Sequence, residues 1–521
     1  MIQALDNRFV SYSSEEKKIG LTNFFILLVG IILSVWFLQF LWKRRKLYKA
    51  ASKLPGPFAL PIIGSSHLFL GQTADIFGAI SKLFETYPSL FKVWFGPRLF
   101  YATCDPKINE ILLSNTNVLR KEYLYRMIEP VSGGGLINQL RVPTWKRHRK
   151  IIMPTFNQKI LDGFVDIFVD RSEVLVSVMK KLVGVKNVNI YDLFSRCTLD
   201  IVCKTAMGVQ IDAQIKDTDF HRWADEIMDL IMKRIFNVYY HLDWIYFLTS
   251  EGKTASINAS NLRNYTRNVV ITKRNEYESK FNNGELVFED DGIKRKAFLD
   301  YLIEMCYQDG KNSFTDEELI DETVTFMIAG TDTTATTNCF LFIIFGLYPD
   351  VQEKVLEEVL EVIGPDRRVQ YDDLQHFKYL ERVVKETMRV FPIVPMIVRA
   401  LDADIDIGEH VLQKGSSVVF GILQTHRNEE YWPDPLKFDP DRFLPEEVAK
   451  RPPGCYIPFS FGPRNCIGMK YAMMTIKALV ATVVRKYKVY SDYKNIEEVE
   501  LRSNLVLRTK NGFKVHFELR E

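Results

Sequence analysis

The sequence predicts a mainly α-helical protein with small β-sheets, built as one large domain behind an N-terminal transmembrane helix. Three observations carry this. Apolar residues recur at helical spacing through most of 105–390. Strand patterns are few and short, and one uncharged run near the N-terminus is long enough to cross a bilayer.

That run is LTNFFILLVGIILSVWFLQFLW, residues 21–42, followed directly by KRRK at 43–46. A bilayer core takes ~20 apolar residues in a helix. A cleaved signal peptide has a shorter core and a small-residue cleavage site, so the segment reads as a retained anchor. Residues 43–53 carry six positive charges and no negative ones, whereas residues 1–20 carry three of each sign. The positive-inside rule then puts the chain after Trp42 in the cytoplasm and residues 1–20 in the lumen. Residues 43–64 read as a basic and proline-rich linker whose LPGPFALPIIG stretch is stiff and extended, and 65–521 as the domain.

Inside the domain, helices are expected over 157–182, 216–237, 315–345 and 349–363, with a polar surface loop near 279–294. Strands are expected at 90–103 and 396–422, and a closing hairpin is expected in NLVLRTKNGFKVHFELR, turning at Asn511-Gly512. No internal repeat or low-complexity tract follows residue 64.

Composition narrows the function. With 47% hydrophobic and 13% aromatic residues the chain is not disordered, and a net charge of +3 from 68 Lys+Arg against 65 Asp+Glu gives no basis for nucleic-acid binding. The seven cysteines (104, 197, 203, 306, 339, 455 and 466) lie far apart without a C-x-x-C pair, which argues against a disulfide framework or zinc cluster and for a reducing compartment.

Only Cys466 is set in a loop made for chemistry, FSFGPRNCIG at 459–468. Gly462 and Gly468 let the backbone turn tightly and approach a flat ligand, and Pro463 stiffens the loop between them. A helix expected from Met469 to Tyr487 places the sulfur at a helix start, where amides lower its pKa and keep a thiolate able to ligate iron. A lone cysteine in a glycine-rich turn is more often a structural thiol. Here, however, the full spacing F-x-x-G-x-R-x-C-x-G is met at Phe459, Gly462, Arg464, Cys466 and Gly468. It resembles the haem-binding signature of the cytochrome P-450 superfamily, which implies the P-450 fold, non-covalent haem b and Cys466 as axial ligand of the haem iron.

Further motifs stand in the expected order. KETMR at 385–389 matches the family's E-x-x-R at Glu386 and Arg389, and FDPDRF at 438–443 matches the segment whose arginine, here Arg442, joins that pair and braces the cysteine loop. AGTDTT at 329–334 interrupts a long apolar helix with residues that compete for their own backbone hydrogen bonds. The resemblance implies that Ala329 and Gly330 lie across the distal haem face, that Thr333 holds water at the oxygen site, and that Asp332 links to a proton supply. A merely helix-bending threonine is the bland alternative. Trp145 and Arg149 match the family's W-x-x-x-R, and with Arg464 and Arg399 they are the implied partners of the haem propionates.

The resemblance runs from about residue 54 to the end and is narrower toward the family-four clan, especially its insect branches. Many members of that clan carry a glutamate, able to esterify the haem, where this chain has Ala329; no such link is expected here. The substrate cavity is assigned to Phe326, Ala329, Thr333, Val394 and Met396, and the substrate to an apolar molecule: a fatty acid, a hormone precursor or a xenobiotic. No flavin or nicotinamide motif is found, so electrons are expected from NADPH-cytochrome P-450 reductase, with a b-type cytochrome as a further donor. Arg147, Lys150 and Lys470 are candidates for its docking face. The implied location is the endoplasmic reticulum membrane. Two other readings stay open: a reductase-independent haem-thiolate isomerase or dehydratase, which often lacks the distal acid and threonine, and a non-catalytic haem-containing binding protein.

Overall fold

The computed structural model describes residues 2–87, 89–283, 297–308 and 313–520, and side chains from residue 22 onward. The first feature is one helix, Ile2–Ala51, whose segment from Thr22 is long and apolar enough to cross a membrane and buries none of its apolar window. Residues 43–51 continue this helix instead of opening a linker. Its end is seated on the domain: Tyr48 stacks on Trp94 at 4.7 Å, and Ala51 and Leu54 are buried. The proline stretch that follows is strapped to the first strand, with the Lys92 amide donating to the Pro55 carbonyl at 2.9 Å and the Ser65 amide to the Trp94 carbonyl at 2.5 Å.

The domain is organised around the helix Asp316–Leu347. It opens with a capping box, Thr315 and Glu318 exchanging side-chain-to-backbone bonds of 3.2 and 3.0 Å. Its later turns, Phe340 to Phe345, are buried on every side, which is why no polar face shows there. Tyr191–Ala206, Met469–Val484 and Lys378–Val390 pack against it. Phe220–Phe236 and Pro349–Ile363 fall where the periodicity puts them, while Gly163 divides the expected 157–182 helix into Gln158–Asp162 and Val165–Met179. The expected surface loop at 279–294 begins inside the helix Ser250–Asn282, and its residues from 284 lie outside the described residues.

One four-stranded sheet runs in the order Leu90–Phe95, Arg98–Thr103, Ser417–Gly421, Met396–Ala400; the central pair is parallel and both outer pairs are antiparallel. The C-terminal hairpin requires a correction. Gly512 makes the turn with φ +83°, but Leu507–Thr509 pairs with Leu501–Ser503, whereas Lys514–Leu519 pairs with Tyr487–Tyr490 and Val188–Asn189. A distant partner is the reason: the Phe513 amide that would cross the hairpin donates instead to the Asn189 side chain at 3.1 Å.

Candidate active site

A cavity of about 550 Å³ lies between the helix Asp316–Leu347, the cysteine loop, the four-stranded sheet and the helix Phe220–Phe236. Phe326, Ala329, Thr333, Val394 and Met396 all line it, together with Gly330 and Asp332. Cys466, Phe459 and Gly468 line its opposite wall. Aromatic and aliphatic side chains supply most of the rest, including Phe84, Phe91 and Phe100 from the sheet side and Met228, Met232 and Phe236 from the roof.

The cysteine loop is closed on itself: the Cys466 amide donates to the Phe459 carbonyl at 2.8 Å and the Asn465 amide to the Gly462 carbonyl at 3.0 Å. Gly462 sits at φ +71°, and a Cβ there would lie 2.1 Å from the Leu113 carbonyl oxygen, so glycine is required twice over. Ser460 adopts φ +62° without being glycine, a costly conformation that the surrounding loop imposes. Gly468 corrects an expectation, because its φ of −89° suits any residue. A Cβ there would stand 3.9 Å from the Cys466 sulfur and 4.0 Å from Phe156, ordinary contact distances, so the surrounding protein atoms leave room for one.

The sulfur's exposed surface faces the cavity, and protein encloses it elsewhere. Burial raises the thiol's pKa; the Gly468 amide and the Arg149 guanidinium offset only part of this. The helix start alone therefore does not make the thiolate, contrary to expectation. A bound metal ion does so directly, by displacing the proton.

Among the described residues, four cations approach the cavity without a carboxylate among them: Lys121, Arg149, Arg399 and Arg464. Arg149 donates to the Asn465 carbonyl and side chain at 2.8 and 2.6 Å, and the Arg464 guanidinium lies 4.4 Å above the Trp145 ring. Arg464 uses one nitrogen on the Gln139 carbonyl at 2.8 Å, while its Nε and Nη1 are buried without partners. Burial, then Arg399, lowers Arg464 to about 9; burial, then Arg399 and Arg464, lowers Lys121 well below its usual value.

Behind the loop, Glu386 and Arg389 form a two-bond pair, at 2.6 and 2.7 Å, with no exposed surface. Arg442 stands 3.6 Å from Glu386. Arg389 reaches the His426 carbonyl at 3.0 Å, and His426 Nε2 accepts from the Ile457 amide at 2.9 Å, which carries the brace into the cysteine loop. None of these bracing residues lines the cavity.

On the distal helix, the Thr333 hydroxyl donates to the Ala329 carbonyl at 2.7 Å and the Thr337 hydroxyl to the Thr333 carbonyl at 2.8 Å. Such bonds bend helices. Gly330 admits the neighbouring helix, since a Cβ there would be 2.9 Å from Val202. Asp332 accepts from the Tyr191 phenol at 2.5 Å and pairs with Arg508, leaving its Oδ2 buried without a partner.

The cytochrome P450 family model matches residues 54–517. The chain belongs to the cytochrome P450 family. It is 35% identical to cytochrome P450 4d1 of Drosophila simulans over 95% of this chain and 99% of that one. It is 34% identical to cytochrome P450 4V2 of Mus musculus over 89% of each, and 32% identical to cytochrome P450 4g1 of Drosophila melanogaster over 98% and 96%. It is therefore a haem b monooxygenase, and the residues present fit that group. The orphaned guanidinium nitrogens of Arg464 and the cations unmatched by acids call for an anionic ligand, as the propionates are.

Sequence reasoning missed Lys121 and Tyr125, which enter the P450 cavity through a bridge between Lys121 and Arg399, and the roof residues around Met228. It also missed His426, whose neighbour Arg427 in HRNEE is the more conspicuous charge. Periodicity carries no mark of a buried lysine whose ammonium faces the Tyr125 ring and no carboxylate.

Proposed function

We propose that this monooxygenase oxidises an apolar, lipid-soluble substrate at the membrane surface, with electrons from NADPH-cytochrome P450 reductase. The observation that carries the reading is the juxtaposition, in one largely apolar cavity, of Cys466 on one wall and Thr333 and Asp332 on another. Cys466 would ligate the iron, and Arg464, Arg149, Lys121 and Arg399 with Trp145 would hold the propionates and ring. Haem with a thiolate ligand supplies activation of dioxygen for insertion into a C–H bond. Thr333 donates its proton to the Ala329 carbonyl, so its oxygen lone pairs are free to accept from a water in the cavity. The apolar walls exclude bulk water from that position and orient a substrate by shape.

Ala329 offers only a methyl group, so haem extracts into acidified organic solvent; haem retained on the protein would contradict this assignment. The anchor helix and the exposed Leu242, Trp244 and Leu248 support an endoplasmic reticulum membrane location with the domain cytoplasmic. For reductase docking, Lys150 and Lys470 are exposed, but Arg147 is withdrawn from the set because Glu318 and the Ser313 carbonyl already hold it.

The test is the reduced carbon-monoxide difference spectrum, followed by turnover of dodecanoic acid, octadecane, farnesol and an alkoxycoumarin with reductase and NADPH. A strongly red-shifted band and an oxidised product are expected. A band at the ordinary haem position in undamaged protein would end the reading. Thr333→Ala retains haem and diverts electrons to peroxide, lowering product per NADPH by up to ~10²-fold.

A further inference from the structure

The P450 cavity's roof and its buried acid are joined through one arginine. Arg508, in the strand Leu507–Thr509, has a side chain 3% exposed. Its guanidinium pairs with Asp332, donates to the Tyr191 phenol at 2.8 Å, and touches the Thr336 hydroxyl. It also stands 3.5 Å from Asp225. Asp225 belongs to the helix Phe220–Phe236, whose Met228, Met232 and Phe236 roof the cavity.

The same helix is tied to the C-terminal segment at two further points. The Asn504 side chain donates to Asp225 at 3.2 Å, and one turn on, Asp229 accepts from Arg502 at 2.9 and 3.3 Å. Directly after those ties, and before Arg508, Leu505 faces the cavity with φ +82°, a left-handed conformation that a leucine adopts only where its surroundings impose it. A substrate pressing on Leu505 or on the roof therefore acts on the mounting of Arg508.

One guanidinium serves two carboxylates, and their hold on it is unequal. With the roof closed, Asp225 shares the charge and Asp332 is held less tightly; with Asp225 withdrawn, the charge concentrates on Asp332. A carboxylate held less tightly is freer to turn toward the cavity. Asp332 has an oxygen available for this, since its Oδ2 is buried without a partner beside the cavity.

We propose that Arg508 is a positioning residue that couples closure of the roof helix to the readiness of Asp332 as proton carrier, with Asp225 as the competing anion. The proposal rests on the reading of Asp332 as part of the proton supply. Its consequence is economy of electrons: protons reach the oxygen site when the roof is closed over substrate.

The experiment compares Asp225→Asn with Asp229→Asn in the full-length, haem-loaded enzyme, using the fastest-oxidised probe of the screen above. Each variant removes one tie between the roof helix and the C-terminal segment, so both are expected to weaken probe binding in absorbance titrations, but Asp229→Asn leaves Asp225 seated on Arg508 and Asn504. Only Asp225→Asn touches Arg508. It is expected to lower product per NADPH about two- to tenfold, with matching peroxide and a larger solvent isotope effect on product formation. Asp225→Glu restores coupling, and Asp229→Asn keeps it at the parent's value. If Asp225→Asn and Asp229→Asn change coupling alike, the link through Arg508 is overturned. Asp332→Asn separates the two levels: if it leaves coupling and isotope effect unchanged, the proton-carrier reading fails and the proposal falls with it. If it uncouples while Asp225→Asn does not, the link alone fails.

Discussion

Two sets of buried charges, one behind the cysteine loop and one around the haem cavity, are built differently. Within the Glu386–Arg389 pair each charged atom is used: both carboxylate oxygens accept from Arg389, one also accepts from the Asp439 amide, and the guanidinium continues to the His426 and Lys437 carbonyls, while the neighbouring Arg442 keeps a buried Nε without a hydrogen bond. Around the cavity, by contrast, Asp332 Oδ2, Arg508 Nε and two Arg464 nitrogens have no partner, and Lys121 meets other cations. Burial without partners costs folding energy. The satisfied Glu386–Arg389 pair therefore belongs to scaffold, and the unsatisfied groups gathered at the cavity mark a place prepared for a ligand or for proton movement.

The largest effect that would break this contrast is expected at Arg389. Arg389→Ala strands Glu386 with no exposed surface, and breaking a buried pair from one side costs about 3–5 kcal/mol. The yield of protein with the red-shifted carbon-monoxide band should collapse. The double variant Glu386→Gln, Arg389→Met removes both charges and should recover part of that loss. If the single variant gave the parent's yield and urea midpoint, the completeness of the network would have no energetic meaning.

His426 sharpens the contrast by pH. Burial, reinforced by Arg389, lowers it from 6.5 to about 3, so the folded ring is neutral and its Nε2 accepts from the Ile457 amide. Between those two values the unfolded chain binds a proton that the folded chain does not, so this contribution is complete above 6.5 and is lost as pH falls. The slope is about 1.4 kcal/mol per pH unit, or about 2 kcal/mol by pH 5. Urea midpoints between pH 7.5 and 5 should show His426→Gln, which keeps an acceptor for Ile457, with a slope shallower by one proton. Equal slopes would mean that other groups carry the acid sensitivity.

Legibility in the sequence followed the same division. Complete networks sit in motifs, because their partners are close in sequence or hold fixed spacing, as Glu386 and Arg389 do one helical turn apart. Helices with strong periodicity, such as Phe220–Phe236, were equally legible. Lys121, Arg508 and Asp225 were not, since each is an ordinary charged residue until tertiary packing brings it to the cavity. The C-terminal strands failed for a related reason: alternation and Asn511-Gly512 specify strands and a turn, but pairing is decided by partners far along the chain.

The smallest expected effect tests the incomplete side directly. Lys121 is 8% exposed, and burial together with Arg399 and Arg464 disfavours its charge. Without an anionic ligand, the folded chain sheds that proton at a lower pH than the unfolded chain, whose lysine titrates near 10.5. The penalty is thus full below the lowered folded value and is relieved as pH rises from it toward 10.5, so haem-depleted protein should gain stability across that window. Lys121→Met should abolish the gain and stabilise the haem-depleted chain at neutral pH by ~1 kcal/mol, since an unmatched buried charge is replaced by an apolar side chain of similar length. In the loaded enzyme the sign reverses: losing a propionate partner should speed haem transfer to an acceptor protein. A variant that weakened both forms would show Lys121 to be part of the scaffold and would move it to the other side of the division.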